Sequence, residues 1–138
     1  MNQGYSVYNQ IDVTTSNPLK IVLMLYDGAI TFIERAIECT RSGDVKNKNI
    51  HITSASDIIV ELNNSLDTEA GGELAQHLRR LYFFMGRHLT HANWHNDVEG
   101  MQEVIELLAN LREAWQDIYH QPEPLRPPPQ RQSLGLRV

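Results

Sequence analysis

The sequence predicts an all-α domain: an antiparallel up-down four-helix bundle with an N-terminal cover segment. Three observations carry this. Four separate stretches repeat apolar residues at alternating intervals of three and four, which puts each set on one helical face. The links between them are only a few residues long, and short links force successive helices antiparallel. Prolines mark both ends, Pro18 at the start of the first stretch and five more from Pro122 onward. The resulting organisation is a lead-in at residues 1–16, a bundle at 17–120 and a proline-rich tail at 121–138, expected to be disordered or polyproline-like.

The lead-in fits two descriptions. Tyr5, Tyr8 and Ile11 share a helical face, yet Tyr5/Val7 and Ile11/Val13 also alternate as an extended segment does. The first helix starts sharply: Asn17 is a good N-cap, and Pro18 at the first helical position has no N–H to leave orphaned. Its stripe is Leu19, Val22, Tyr26, Ala29, Ile33 and Ala36, and from Ile21 to Tyr26 it is apolar almost all round, so it should meet neighbours on two sides. Gly43 suits the left-handed residue that ends it. Asp44 can cap the second helix, although polar Lys46–Asn49 blurs its start; the stripe is Ile52, Ala55, Ile59, Leu62 and Leu66, with Ile58 alongside.

The third helix follows a turn at Gly71-Gly72 and carries Ala75, Leu78, Tyr82, Met85, Leu89 and Ala92. Asn96 with Glu99 three residues on resembles a capping box for the fourth. That helix carries Met101, Val104, Leu108, Leu111, Trp115 and Ile118 and stops near His120, because Gln121-Pro122 disfavours continuation. Helices of ~20–25 residues would each be ~30–37 Å long.

Composition narrows the function. The chain has 138 residues, 41% of them apolar, enough for one domain with its own core. No apolar run approaches the ~18 residues of a membrane span, and no basic segment leads into an apolar core as in a signal peptide. Cys39 is the single cysteine, which excludes an internal disulfide and fits a reducing cytoplasm. Residues 1–121 carry nine Lys/Arg against sixteen Asp/Glu, a net −7, while the tail carries three Arg and one Glu. An acidic body repels a phosphate backbone, so nucleic acid is not the expected partner.

Chemistry is weakly represented. His88, His91 and His95 lie along one side of the third helix, where a metal could use them, but the Glu-x-x-His repeats of bundle di-metal sites are absent. Glu73 and His77 read as a surface i, i+4 pair. Gly71-Gly72 fall short of a phosphate-loop fingerprint, and no basic group is placed to activate Cys39. The expectation is therefore no catalytic residue, metal or cofactor. The apolar surplus on the first helix, with Ile58 and Phe84 beside their own stripes, has two compatible readings: residues 1–16 simply fold over this surface, or they are a removable cover over a groove that binds a partner segment.

At this level the chain resembles the flagellar secretion chaperone FliS family. The residues that carry the resemblance are Tyr8, Asn17-Pro18, Met24-Leu25-Tyr26-Asp27-Gly28-Ala29, Gly43-Asp44, Glu61-Leu62, Leu66-Asp67 with Glu69, Gly71-Gly72-Glu73 and Ala75. They continue through Leu78, Leu81-Tyr82, Met85, Leu89, Ala92-Asn93, Asp97, Leu107-Leu108 and Ala114-Trp115. The resemblance implies a cytoplasmic four-helix bundle without enzymatic activity that binds the disordered C-terminal segment of flagellin. It would prevent premature polymerisation and deliver the subunit to the membrane component of the flagellar export gate. It also ties Tyr8 to partner binding. Ile11 in the lead-in, and Ile52, Ile58, Ile59, Leu62, Tyr82 and Met85 on the second and third helices, are the further candidate contacts. Where family members often carry an acidic residue and a tyrosine after the third-helix tyrosine, this chain has Phe83-Phe84, so local contacts should be more apolar.

Overall fold

In the computed structural model, which describes residues 18–119, the chain forms four helices: α1 (Pro18–Ser42), α2 (Val45–Asn64), α3 (Gly72–Trp94) and α4 (Val98–Tyr119). Asn17, the lead-in with Tyr8 and Ile11, and the tail lie outside the described residues. The links are two, seven and three residues long, so each helix folds back antiparallel on its predecessor. Helix backbones approach one another around a ring, α1–α2, α2–α3, α3–α4 and α4–α1, and among the described residues neither diagonal pair does so. Because α1 has α2 on one side and α4 on the other, Val22, Leu23, Leu25 and Tyr26 are all buried. Its apolar surplus is thus largely used within the bundle.

All the predicted stripe residues of the second and third helices are buried, Leu66 among them although α2 itself ends at Asn64, as are those of α1 except partly buried Leu19. In α4, Met101, Val104, Leu108 and Trp115 are buried, while Leu111 and Ile118 are partly buried. Their spacing is what buries them: a 3.6-residue period keeps one face turned to the axis.

Two helix ends share one solution. At the end of α1, Gly43 (φ 76°) lets its N–H reach the Thr40 carbonyl at 3.3 Å and the Asp44 N–H reach that of Cys39 at 2.8 Å. At the end of α3, Asn96 (φ 51°) does the same, with Asn96 N–H on Asn93 O at 3.4 Å and Asp97 N–H on Ala92 O at 2.8 Å. Both are Schellman closures, with the left-handed position taken by glycine or by asparagine, which tolerates it. This corrects the expected capping box. Held left-handed at the end of α3, Asn96 does not provide the extended N-cap of α4; Asp97 does, its Oδ1 accepting the Gly100 N–H at 3.0 Å. Asp44 does cap α2, accepting the Asn47 N–H at 3.2 Å. In the longer link, Asp67 Oδ1 accepts the N–H groups of Glu69 and Ala70 at 3.2 and 3.0 Å, a local Asx turn.

The α3–α4 corner depends on Gly100. A Cβ there would stand 2.9 Å from Asp97 Oδ2 and 3.0 Å from Ala92 Cβ. Gly100→Ala must therefore push the capping carboxylate aside or prise the two helices apart. It is expected to lower stability by about 1–3 kcal/mol in urea unfolding, an overpacking cost with a weakened cap. An unchanged midpoint would mean that this corner relaxes freely.

Candidate partner-binding surface

The centre of the bundle holds a chain of three polar side chains. Trp115 Nε1–H donates to Tyr26 Oη at 3.0 Å, and Tyr26 Oη hydrogen-bonds Tyr82 Oη. Indole is a donor only, so the Tyr26 oxygen must be its acceptor. The chain joins α1, α3 and α4, including the α1–α3 diagonal that the backbones leave open. Burial pushes the Tyr26 phenol up to about 12, against a smaller opposing effect of its bonds to Tyr82 and Trp115. Burial, then the neighbouring Tyr26, raises Tyr82 as well.

An alkaline dependence follows. The unfolded phenol ionises near 10.0 and the folded Tyr26 near 12, so above pH 10 the unfolded chain has lost a proton that the folded chain keeps. The stabilisation from this group is complete below pH 10 and falls as pH rises through 12. In an alkaline titration, phenolate absorbance from the buried tyrosines should appear together with loss of helical dichroism. Ionisation of all tyrosines while the helix signal stays intact would contradict the burial.

The sequence-predicted contacts fall on this core. Ile52, Ile58, Ile59 and Leu62 on α2 and Tyr82 and Met85 on α3 are all buried, at 5% exposure or less. Ile58 leans on α1, its Cδ1 only 3.2 Å from where a Cβ on Gly28 would sit. Tyr82 is tied to Tyr26. The six therefore gather within the bundle, and none presents a free apolar face in this state.

Sequence reasoning missed Lys48. It is buried at 5% exposure on the inner side of α2 and donates from Nζ to Asn93 O at 3.0 Å and to Asn96 Oδ1 at 2.6 Å. An ammonium here complements the negative end of the α3 dipole and fixes the left-handed asparagine. A signal existed: Lys48 is four residues before Ile52, on the same stripe. Lys48→Met keeps most of the volume but takes the ammonium from both oxygens, leaving Asn96 Oδ1 without that donor and Asn93 O with the Asn96 N–H at 3.4 Å. It is expected to cost about 1.5–3 kcal/mol in denaturant unfolding; a loss below about 0.5 kcal/mol would contradict this role.

The histidine row disperses. His88 Nε2 bonds Glu103 Oε1 at 2.6 Å, while His91 and His95 stack on each other with ring centroids 4.2 Å apart. No three His, Cys, Asp or Glu side chains among the described residues gather as a metal site. His77 Nδ1 accepts from Arg80 Nη2 at 2.9 Å, so its recorded partner is Arg80 rather than the expected Glu73. Burial, then the carboxylates of Asp44 and Glu38, raise the Cys39 thiol, which opposes thiolate formation. Across α1 and α4, Arg112 forms a two-pronged ion pair with Asp27 and also bonds Gln116 Oε1 at 2.8 Å. No helix among the described residues is long and apolar enough to cross a membrane.

The outer surface holds what periodicity passed over. Trp94 is 83% exposed, and Phe83 and Phe84 are 55% and 45% exposed. All three are on α3, away from its core stripe.

Comparison with known proteins gives one consistent answer. The family model described as "Flagellar protein FliS" matches residues 1–122. The chain is 38% identical over 120 residues to the flagellar secretion chaperone FliS of Salmonella typhimurium strain LT2, spanning 83% of this chain and 89% of that protein. It is 34% identical over 119 residues to the protein of that name in Campylobacter jejuni subsp. jejuni, spanning 86% and 93%. To that of Bacillus subtilis strain 168 it is 35% identical over 111 residues, spanning 80% and 82%.

Proposed function

The chain belongs to the FliS family of flagellar secretion chaperones, and from that premise we propose that it is the cytoplasmic chaperone of flagellin. Its client is the disordered C-terminal segment of flagellin, which it keeps from polymerising and hands to the membrane component of the export gate. The observation that carries the reading is a family match spanning residues 1–122, supported by relatives named for secretion chaperoning. The family is one of chaperones rather than enzymes, and the chemistry needed is recognition without bond-making.

The client contacts are assigned to the α2–α3 side, around Ile52, Ile58, Ile59, Leu62, Tyr82 and Met85, together with Tyr8 and Ile11 of the lead-in. Since the six helix residues are buried, the client reaches them only when that side opens. The lead-in is assigned the role of a cover that gives way. Coupled folding and binding suits such a client: ordering a disordered segment costs several kcal/mol, which keeps a large interface releasable.

The test is a polymerisation assay. Flagellin with excess chain should stay in the supernatant under conditions where flagellin alone forms sedimenting filaments. Filaments forming at the same rate and yield would refute the reading. Removal of residues 1–16 should change the apparent client affinity; an identical affinity would argue against a competing cover.

A further inference from the structure

The outer face of α3 is built unlike the rest of the bundle. Arg79, Phe83, Arg87, Thr90 and Trp94 recur at intervals of four, four, three and four, a second stripe turned away from the core stripe of the same helix. Phe83 and Trp94, ~16 Å apart along the axis, are among the most exposed large apolar side chains. The Arg79 guanidinium sits 5.5 Å from the centroid of the Phe83 ring. Arg87 has no carboxylate partner among the described residues. At the Trp94 end of this stripe, beginning one turn beyond Phe83, lies an open depression of about 540 Å³ that runs from Gly86 and Arg87 to Trp94 and His95.

Gly86 is the telling residue. A glycine inside a helix destabilises it relative to alanine, and folds keep one where a neighbour needs the space. Here a Cβ would meet nothing within 4 Å among the described residues, so no packing among them explains its absence. The space lies open on the solvent side, where another backbone could come close.

The charge says what kind of backbone. Helix α3 carries Arg79, Arg80 and Arg87 against Glu73 alone, while neighbouring α4 carries Glu99, Glu103, Glu106, Glu113 and Asp117 against Arg112. In a body of net charge −7, α3 is a basic, aromatic strip. We propose that the outer face of α3 is a docking site for an acidic amphipathic helix of a second protein, separate from the client. Its apolar anchors lie over Gly86 between Phe83 and Trp94, and its carboxylates face Arg79 and Arg87.

Other occupants fit less well. The tail of this chain carries three Arg and one Glu, and meets like charge on α3. A second copy crossing α3 on α3 about a two-fold axis at Gly86 brings the two Arg87 guanidiniums together. An incoming helix of opposite charge satisfies both the trough and the field: helix-in-groove binding uses anchors at i, i+3, i+4 and i+7, and Trp and Arg are the residue types that dominate such contacts. Tyr82 is one turn from Gly86 but is buried in the core, whereas Phe83 and Trp94 are exposed, so the two sites use different side chains of α3.

The test uses the full chain and a synthetic helical peptide of about 18 residues, with Leu and Phe at the anchor spacing and Glu elsewhere. Amide chemical shifts should move around Gly86 and at the Trp94 indole. The same peptide with Lys for Glu should bind at least about tenfold more weakly. Trp94→Ala, Arg87→Glu and Gly86→Leu should each weaken the Glu peptide about tenfold, with helical dichroism unchanged. Gly86→Ala should raise Tm by about 2–5 °C. No binding, equal binding of the two peptides, shifts centred elsewhere, or indifference to Gly86→Leu would each overturn the proposal. Flagellin binding by the same three weakened variants should persist, so this proposal and the client reading fail separately.

Discussion

Tyr26→Ala is expected to lower the unfolding free energy by about 3–5 kcal/mol, because it empties a large core volume and strands two polar partners. Tyr26 is fully buried, and its oxygen is the acceptor for Trp115 Nε1–H and the partner of the Tyr82 hydroxyl. Tyr26→Phe separates the two contributions. It keeps the ring, leaves the Trp115 N–H unanswered, and should cost about 1–3 kcal/mol. Tyr82→Phe removes only the far end of the chain and should cost less. The double variant Tyr26→Phe/Tyr82→Phe should cost less than the sum of the single changes, since both remove one shared bond. Chemical denaturation followed by Trp fluorescence and by dichroism reads all four. Strict additivity would mean that the hydroxyls act independently and that the chain is not a unit.

Leu62→Ala is expected to cost about 2–5 kcal/mol, the range for emptying a buried leucine. Leu62 is 1% exposed, yet the sequence places it among the candidate partner contacts, and the experiment separates the two roles. Stability measured on the chain alone reports the core role. Client affinity, measured where the variant is still folded, reports any additional contact made when the α2–α3 side opens. A stability loss below about 1 kcal/mol would show that Leu62 does not fill the core.

The helices and their inward faces were legible because a 3.6-residue period leaves a direct trace in the sequence. Even Gly43 and Asp44 could be read, since each has a side-chain or backbone property that suits one position at a helix end. The α4 cap was legible only to within one residue. Asn96 and Asp97 are both good caps, and what separates them is a Schellman closure made by α3, which belongs to the preceding helix. The Tyr26–Tyr82–Trp115 chain was not legible, because per-helix stripes say which residues point inward but not which meet across a diagonal.

Lys48 was passed over for a related reason: lysine normally marks a solvated face. Here it answers carbonyl and amide oxygens brought by α3 from more than forty positions away. On the candidate surface, attention to the core stripe of α3 hid the second one. The signal was the pair Phe83 and Trp94 with arginines at helical spacing, and its meaning depended on Gly86 having open space above it. Of the predicted partner contacts, Tyr8 and Ile11 lie outside the described residues. The six on α2 and α3 are core residues first, which is what strict periodicity alone would say of them.

That the bundle holds the C-terminal segment of flagellin is tested most directly by calorimetric titration of the full chain with that segment, from the same organism, at several temperatures. The expected result is saturable binding of about one segment per chain, with a binding enthalpy that grows more negative on warming, the mark of apolar surface being buried. No detectable heat and no complex by sedimentation, with a chain shown by dichroism to be folded, would contradict it.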